Sequence, residues 1–162
     1  MLKFLLLISC LISIETVFCV DCSDHTCLRT LFNARVTKAE YYTRPLSSSS
    51  SSSGSWWSSR RKKRHNYHLH HSGVVVTIDR YVEGKNKWLI HKGEDYGDAS
   101  DTVITDADYM SSRWTLTKSM YPSCRYTVTS CMRAAINDFV YSVYGPNCQT
   151  AANGIWDLLQ GC

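Results

Sequence analysis

The chain has 162 residues, of which 44% are hydrophobic and 20% charged, with eight cysteines and a formal net charge of +4; this is the size of one small domain with appendages. Arg60, Arg61, Lys62, Lys63 and Arg64 supply five positive charges in one linear run, so the rest of the chain sums to about −1. A nucleic-acid partner is not expected, because such a surface needs basic residues spread over a folded face with aromatics between them.

Met1-Leu2-Lys3 is a short positive region, Phe4 to Ile14 is apolar, and Val17-Phe18-Cys19 offers tolerable residues before a cut, so residues 1–20 read as a secretory signal peptide. An uncleaved anchor is the alternative, but a spanning helix needs ~20 apolar residues and Glu15 interrupts this stretch. No later segment is apolar enough to form a transmembrane helix. The product is expected to be secreted, in an oxidising compartment.

Removal of the signal leaves Cys22, Cys27, Cys124, Cys131, Cys148 and Cys162. Cys22 with Cys27, and Cys124 with Cys131, are close enough in sequence for local pairing. If residues 148–161 form a helix, Cys148 and Cys162 lie ~20 Å apart at 1.5 Å per residue, too far for a disulfide. Cys148 is then the cysteine left free. The alternative is a crossing arrangement in which all six are paired.

Residues 21–46 form a short N-terminal segment, a possible pro-piece, with one strand expected over Asn33 to Tyr42. Residues 47–64 are a linker: an unbroken serine tract from Ser47 to Ser53, Gly54-Ser55, then Trp56-Trp57 and the basic run. Such composition buries too little apolar surface to offset backbone ordering. The basic run ending at Arg64 matches the pattern cut by secretory convertases, with a solvated charge run as the alternative.

Residues 65–162 read as an α+β domain, a small antiparallel sheet packed against two C-terminal helices. Gly73 to Val82 and Lys87 to His91 form a hairpin around Gly84-Lys85-Asn86. After an acidic loop through Glu94, Asp95, Asp98 and Asp101, short strands are expected at Thr102–Thr105, Arg113–Thr117 and Tyr126–Thr129. Ser130 is placed to cap a helix from Cys131 to Val143; its apolar stripe is Met132, Ile136, Phe139, Val140 and Val143. Gly145-Pro146 ends that helix. A second begins at Asn147 or Cys148, with Ala151, Ala152, Ile155, Trp156 and Leu159 on one face.

Cys148 thus sits in the first helical turn, where unpaired N–H groups and the helix dipole favour an anion. A thiol there is expected to be more acidic than the free value of ~8.5, and the same N–H groups are placed to bind an oxyanion. Asn147 and Gln149 flank it as oxyanion or substrate-binding candidates. Alternation puts His68 and His70 on one strand face and His71 on the other. His71 is the candidate base, oriented by His91 or an acid such as Asp79. The alternative is that His65, His68, His70 and His71 form a surface cluster binding adventitious metal or nothing. Their spacing lacks the cysteine-histidine pattern of a structural zinc site, so no metal site and no cofactor is expected.

The stretches His71-Ser72-Gly73-Val74, Leu89-Ile90-His91 and Asn147-Cys148-Gln149-Thr150-Ala151 resemble elements of the permuted papain-like superfamily. The likeness is particularly to its lecithin-retinol acyltransferase type and the PPPDE-type peptidases. The likeness spans roughly residues 65–160. It implies a permuted papain-like fold, with Cys148 as nucleophile, His71 as base and His91 as supporting histidine. It implies a secreted cysteine hydrolase or acyltransferase working through an acyl-thioester, on a peptide, isopeptide or lipid acyl substrate. A non-catalytic, disulfide-stapled binding or effector module is the other class the sequence permits. The chain holds no Asn-x-Ser/Thr acceptor for N-glycosylation.

Overall fold

The β-branched run Val74-Val75-Val76-Thr77-Ile78 favours an extended strand, and this strand organises the domain. The computed structural model describes residues 21–22, 24–46, 70–93, 101–136, 141–142 and 144–161. Helix α1 is His25–Phe32, followed by β1 (Val36–Pro45), β2 (His70–Val82), β3 (Lys85–Lys92), β4 (Thr102–Asp106), a 3₁₀ turn at Ala107–Tyr109, β5 (Thr115–Met120), α2 (Val128–Ile136) and α3 (Cys148–Gln160). The five strands make one antiparallel sheet in the order β4-β3-β2-β1-β5. The fold is α+β, with α2 and α3 C-terminal, as the sequence predicts. The expected signal peptide, serine tract and basic run lie outside the described residues, as do Glu94 to Ser100 and Asn137 to Val140.

Several local expectations are corrected. Residues 21–46 do not stand apart from the domain: β1 pairs with β2 from Val36↔Ile78 to Pro45↔His70, and on its other edge with β5. The same segment holds α1, which starts because the Asp24 side chain accepts a hydrogen bond from the Cys27 amide at 2.8 Å. The strand expected at Tyr126–Thr129 is reduced to an isolated Arg35↔Thr127 bridge, since α2 already begins at Val128. Ser130 does not precede that helix but lies in its first turn, where its hydroxyl and that of Thr127 are 3.3 Å apart. The β2–β3 loop is Glu83-Gly84, both at positive φ (48° and 79°). This is the backbone a two-residue hairpin of right-handed twist requires.

Of the two local disulfides expected, Cys22–Cys27 is present. Cys124 is disulfide-bonded, but Cys131 is a buried free thiol, so that second local pair does not form. Helix α3 runs unbroken from Cys148 to Gln160, and Cys148 is free.

Strand alternation sorts the sheet into two faces. Val74, Val76 and Ile78 of β2, Ala39 and Tyr41 of β1, Trp88 and Ile90 of β3 and Ile104 of β4 form the core with Leu31 of α1, Met132 and Ala135 of α2, and Ala151, Ile155 and Leu159 of α3. The opposite face carries His71, Gly73 and Val75 of β2, Leu89 and His91 of β3, and Tyr42 and Arg44 of β1. Among the described residues, no helix is long and apolar enough to cross a membrane.

Candidate active site

The start of α3 is fixed by its own sequence. The Asn147 side-chain oxygen accepts hydrogen bonds from the amides of Gln149 (2.9 Å) and Thr150 (3.1 Å), and the Thr150 hydroxyl accepts from the Asn147 amide (3.2 Å). This reciprocal cap satisfies donors that a helix terminus otherwise leaves open. It also defines Asn147 as a positioning residue, whose carbonyl-type oxygen is spent on the cap. Asn147→Ala is expected to lower stability by about 1 kcal/mol in urea unfolding and to loosen Cys148.

Cys148 is 3% exposed. Its Sγ lies 3.7 Å from the His70 carbonyl oxygen, to which the thiol donates. The Ser72 amide approaches the same sulfur, as do the amides of Gln149 and Cys148 itself. The thiol is therefore held by the β2 backbone on both sides of His71, beyond the last β2–β3 pair, Gly73↔His91. The Gln149 side chain reaches the His70 carbonyl too, donating from Nε2 at 3.5 Å.

His71, 4% exposed, joins its Nε2 to Nδ1 of His91 at 2.9 Å. The rings stand edge to face, with centroids 5.2 Å apart. This contact follows from register: Gly73 lies directly opposite His91, and His71 is two residues along the same face. Of the two residues considered as its partner, His91 and Asp79, the acid instead binds the Arg35 amide and Arg80 at the far end of β2. The structure thus brings His71 and His91 together, and brings Cys148 to the backbone beside His71. The hydrogen bond that the thiol donates goes to the His70 carbonyl. His70 is exposed, and His65 and His68 lie outside the described residues.

Two residues that the sequence reading did not single out complete the cluster. Trp114, just before β5, packs against His71 (5.4 Å between centroids) and His91 (6.3 Å). Arg44 is the β1 partner of His71 and lies over the Trp114 ring at 5.0 Å. Neither belongs to a motif, and the strand expected over Asn33 to Tyr42 stops short of Arg44. On the helix side, the Tyr41 hydroxyl donates to Asn153 at 3.1 Å, and Lys118 lies over the rings of Tyr41 (4.7 Å) and Trp156 (4.2 Å).

The electrostatics correct the expectation of an acidified thiol. Burial pushes the Cys148 thiol above its ordinary value, and the surrounding amides and the Arg44 charge offset this only in part. Burial, assisted by the Arg44 charge, pushes His71 down to about 4. Burial pushes His91 down to about 3, with the charges of His71 and Arg44 acting in the same sense. At neutral pH the site therefore holds a neutral thiol and two neutral imidazoles. The 2.9 Å contact then requires one ring to donate and the other to accept.

No protein-family model, no curated protein and no solved structure matches the chain.

Proposed function

We propose that this protein is a secreted cysteine-dependent hydrolase or acyltransferase on a permuted papain-like scaffold. Its carrying observation is the His71–His91 hydrogen bond, formed on the strand whose flanking backbone groups hold the Cys148 thiol. With thiol and imidazole both neutral, the chemistry is general-base attack rather than attack by a standing thiolate.

In this reading His71 donates from Nε2 to His91 Nδ1, which leaves His71 Nδ1 as the basic nitrogen. The thiol leaves the His70 carbonyl for that nitrogen, a tightening expected when substrate fills the site. Sγ then bonds to the acyl carbon as its proton passes to His71, whose new charge is stabilised by the His91 lone pair. The oxyanion is received by the amides gathered around Sγ, those of Cys148 and Ser72 foremost. Collapse expels the leaving group with the proton from His71. Water or an acceptor nucleophile then releases the acyl group from the thioester. Peptide, isopeptide and lipid acyl groups all suit this chemistry, and the Cys22–Cys27 disulfide suits an oxidising destination.

The test is peptide-mapped alkylation of the native full-length protein with iodoacetamide. Cys131, whose thiol burial pushes up to about 12, is the internal control. Cys148 is expected to react faster than Cys131, and His71→Ala to slow Cys148 by about tenfold or more, the lower range of base assistance. A Cys148 no faster than Cys131 and indifferent to His71→Ala defeats the enzyme reading and leaves a stapled binding module.

A further inference from the structure

Arg44 carries its charge directly across the ladder from His71, and the described residues around it do not neutralise it. Its Nε is buried without a hydrogen-bond partner. Among the described residues, no carboxylate forms an ion pair with it: Glu40, four residues away on the same face, pairs with Lys38, and the remaining pairs engage Arg80 and Lys85. Its guanidinium lies over the Trp114 ring, which supports it on one side. A partly buried cation without a counter-ion is unfavourable unless something else supplies the anion. The neighbouring imidazoles and thiol do not, since all three are neutral at neutral pH.

We infer that Arg44 is the anion-binding residue of this site, and that the acyl substrate carries a carboxylate close to the bond attacked. The inference rests on Cys148 being the reactive centre. A carboxylate fits better than a phosphate because the planar guanidinium fork matches two carboxylate oxygens and a single cation balances a single negative charge. Arg44 lies across the ladder from His71 and over the Trp114 ring that packs against both imidazoles, so a carboxylate bound to it would sit beside the same cluster. Neutralising Arg44 would also ease protonation of His71 during attack, coupling recognition of the substrate to the strength of the base.

The test compares iodoacetate with iodoacetamide at Cys148. Both form a bond from sulfur to the methylene carbon, expel iodide and release the thiol proton to His71 or water; they differ in a carboxylate against an amide. In the wild-type protein iodoacetate is expected to show saturation and to outpace iodoacetamide about tenfold, the effect of one charge-assisted pair. That preference should vanish in Arg44→Gln and survive in weakened form in Arg44→Lys. Sodium acetate should slow labelling, whereas sodium chloride of equal ionic strength should not. An iodoacetamide preference in the wild type, with His71-dependent labelling intact, overturns the carboxylate assignment while leaving the enzyme reading standing. Protection by inorganic phosphate but not acetate overturns it as well.

A readout independent of thiol chemistry is the melting temperature in sodium acetate against sodium chloride. A rise with acetate that is lost in Arg44→Gln supports the site; no rise overturns it, whether or not Cys148 reacts.

Discussion

Acidification through the range from about pH 6.5 to about pH 4 is expected to remove several kcal/mol of folding stability, most of it traceable to His71 and His91. In the unfolded chain both imidazoles take up protons near their ordinary value. In the folded protein burial and the Arg44 charge keep His71 neutral down to about 4 and His91 lower still. Across that window the unfolded state binds more protons, so stability falls as pH falls. It is fully present above about 6.5, and each histidine contributes a slope of up to about 1.4 kcal/mol per pH unit. Urea midpoints measured at intervals between these limits read it directly. The double variant His71→Gln/His91→Gln should flatten the profile. Parallel loss in both proteins assigns acid sensitivity to carboxylates and removes the basis for a neutral imidazole pair.

Gly73→Val is expected to cost about 3 kcal/mol, the upper range for an overpacked interior, and to undo the imidazole pair. A Cβ at Gly73 would lie 2.8 Å from Leu89 Cδ1, 3.1 Å from His91 Cβ and 3.2 Å from the Ile90 carbonyl oxygen. The Leu89 methyl can yield, but the other two atoms are tied to the β3 backbone, which the ladder fixes. The two γ-methyls of valine enlarge the conflict on the face His91 needs. Gly73→Val should therefore also lose the histidine component of the pH profile, and the smaller Gly73→Ala should be intermediate on both measures. Unchanged stability in Gly73→Val would mean that β2 and β3 part easily, contrary to the packing seen between them.

This coupling of a glycine to a histidine eighteen positions away marks where sequence reading stops. The α3 start was legible because its determinants lie within six residues: Gly145-Pro146 cannot continue a helix, and Asn147 with Thr150 caps the next one. The β2–β3 hairpin was legible too, since alternation and Gly84 act locally. The start of α2 was misread because Thr127 and Ser130 both carry hydroxyls suited to a cap, and the choice depends on the bridge that fixes Arg35 against Thr127. Helix α1 was missed because its eight residues bury only Cys27 and Leu31, too few for a visible period.

By itself, the sequence determined the α+β class, the hairpin and the placement of a thiol at a helix start. Tertiary structure alone decided that β1 lies between β2 and β5, that Cys131 is free, and that Arg44 and Trp114 join His71 and His91. It also decided the sign of the thiol shift, because burial depends on everything packed around Cys148 whereas the helix dipole depends only on the turn that bears it. Capping and periodicity are local interactions, written into neighbouring residues. Register and burial are set by segments far apart in the chain, and in a sheet a shift of one residue moves a charge to the other face.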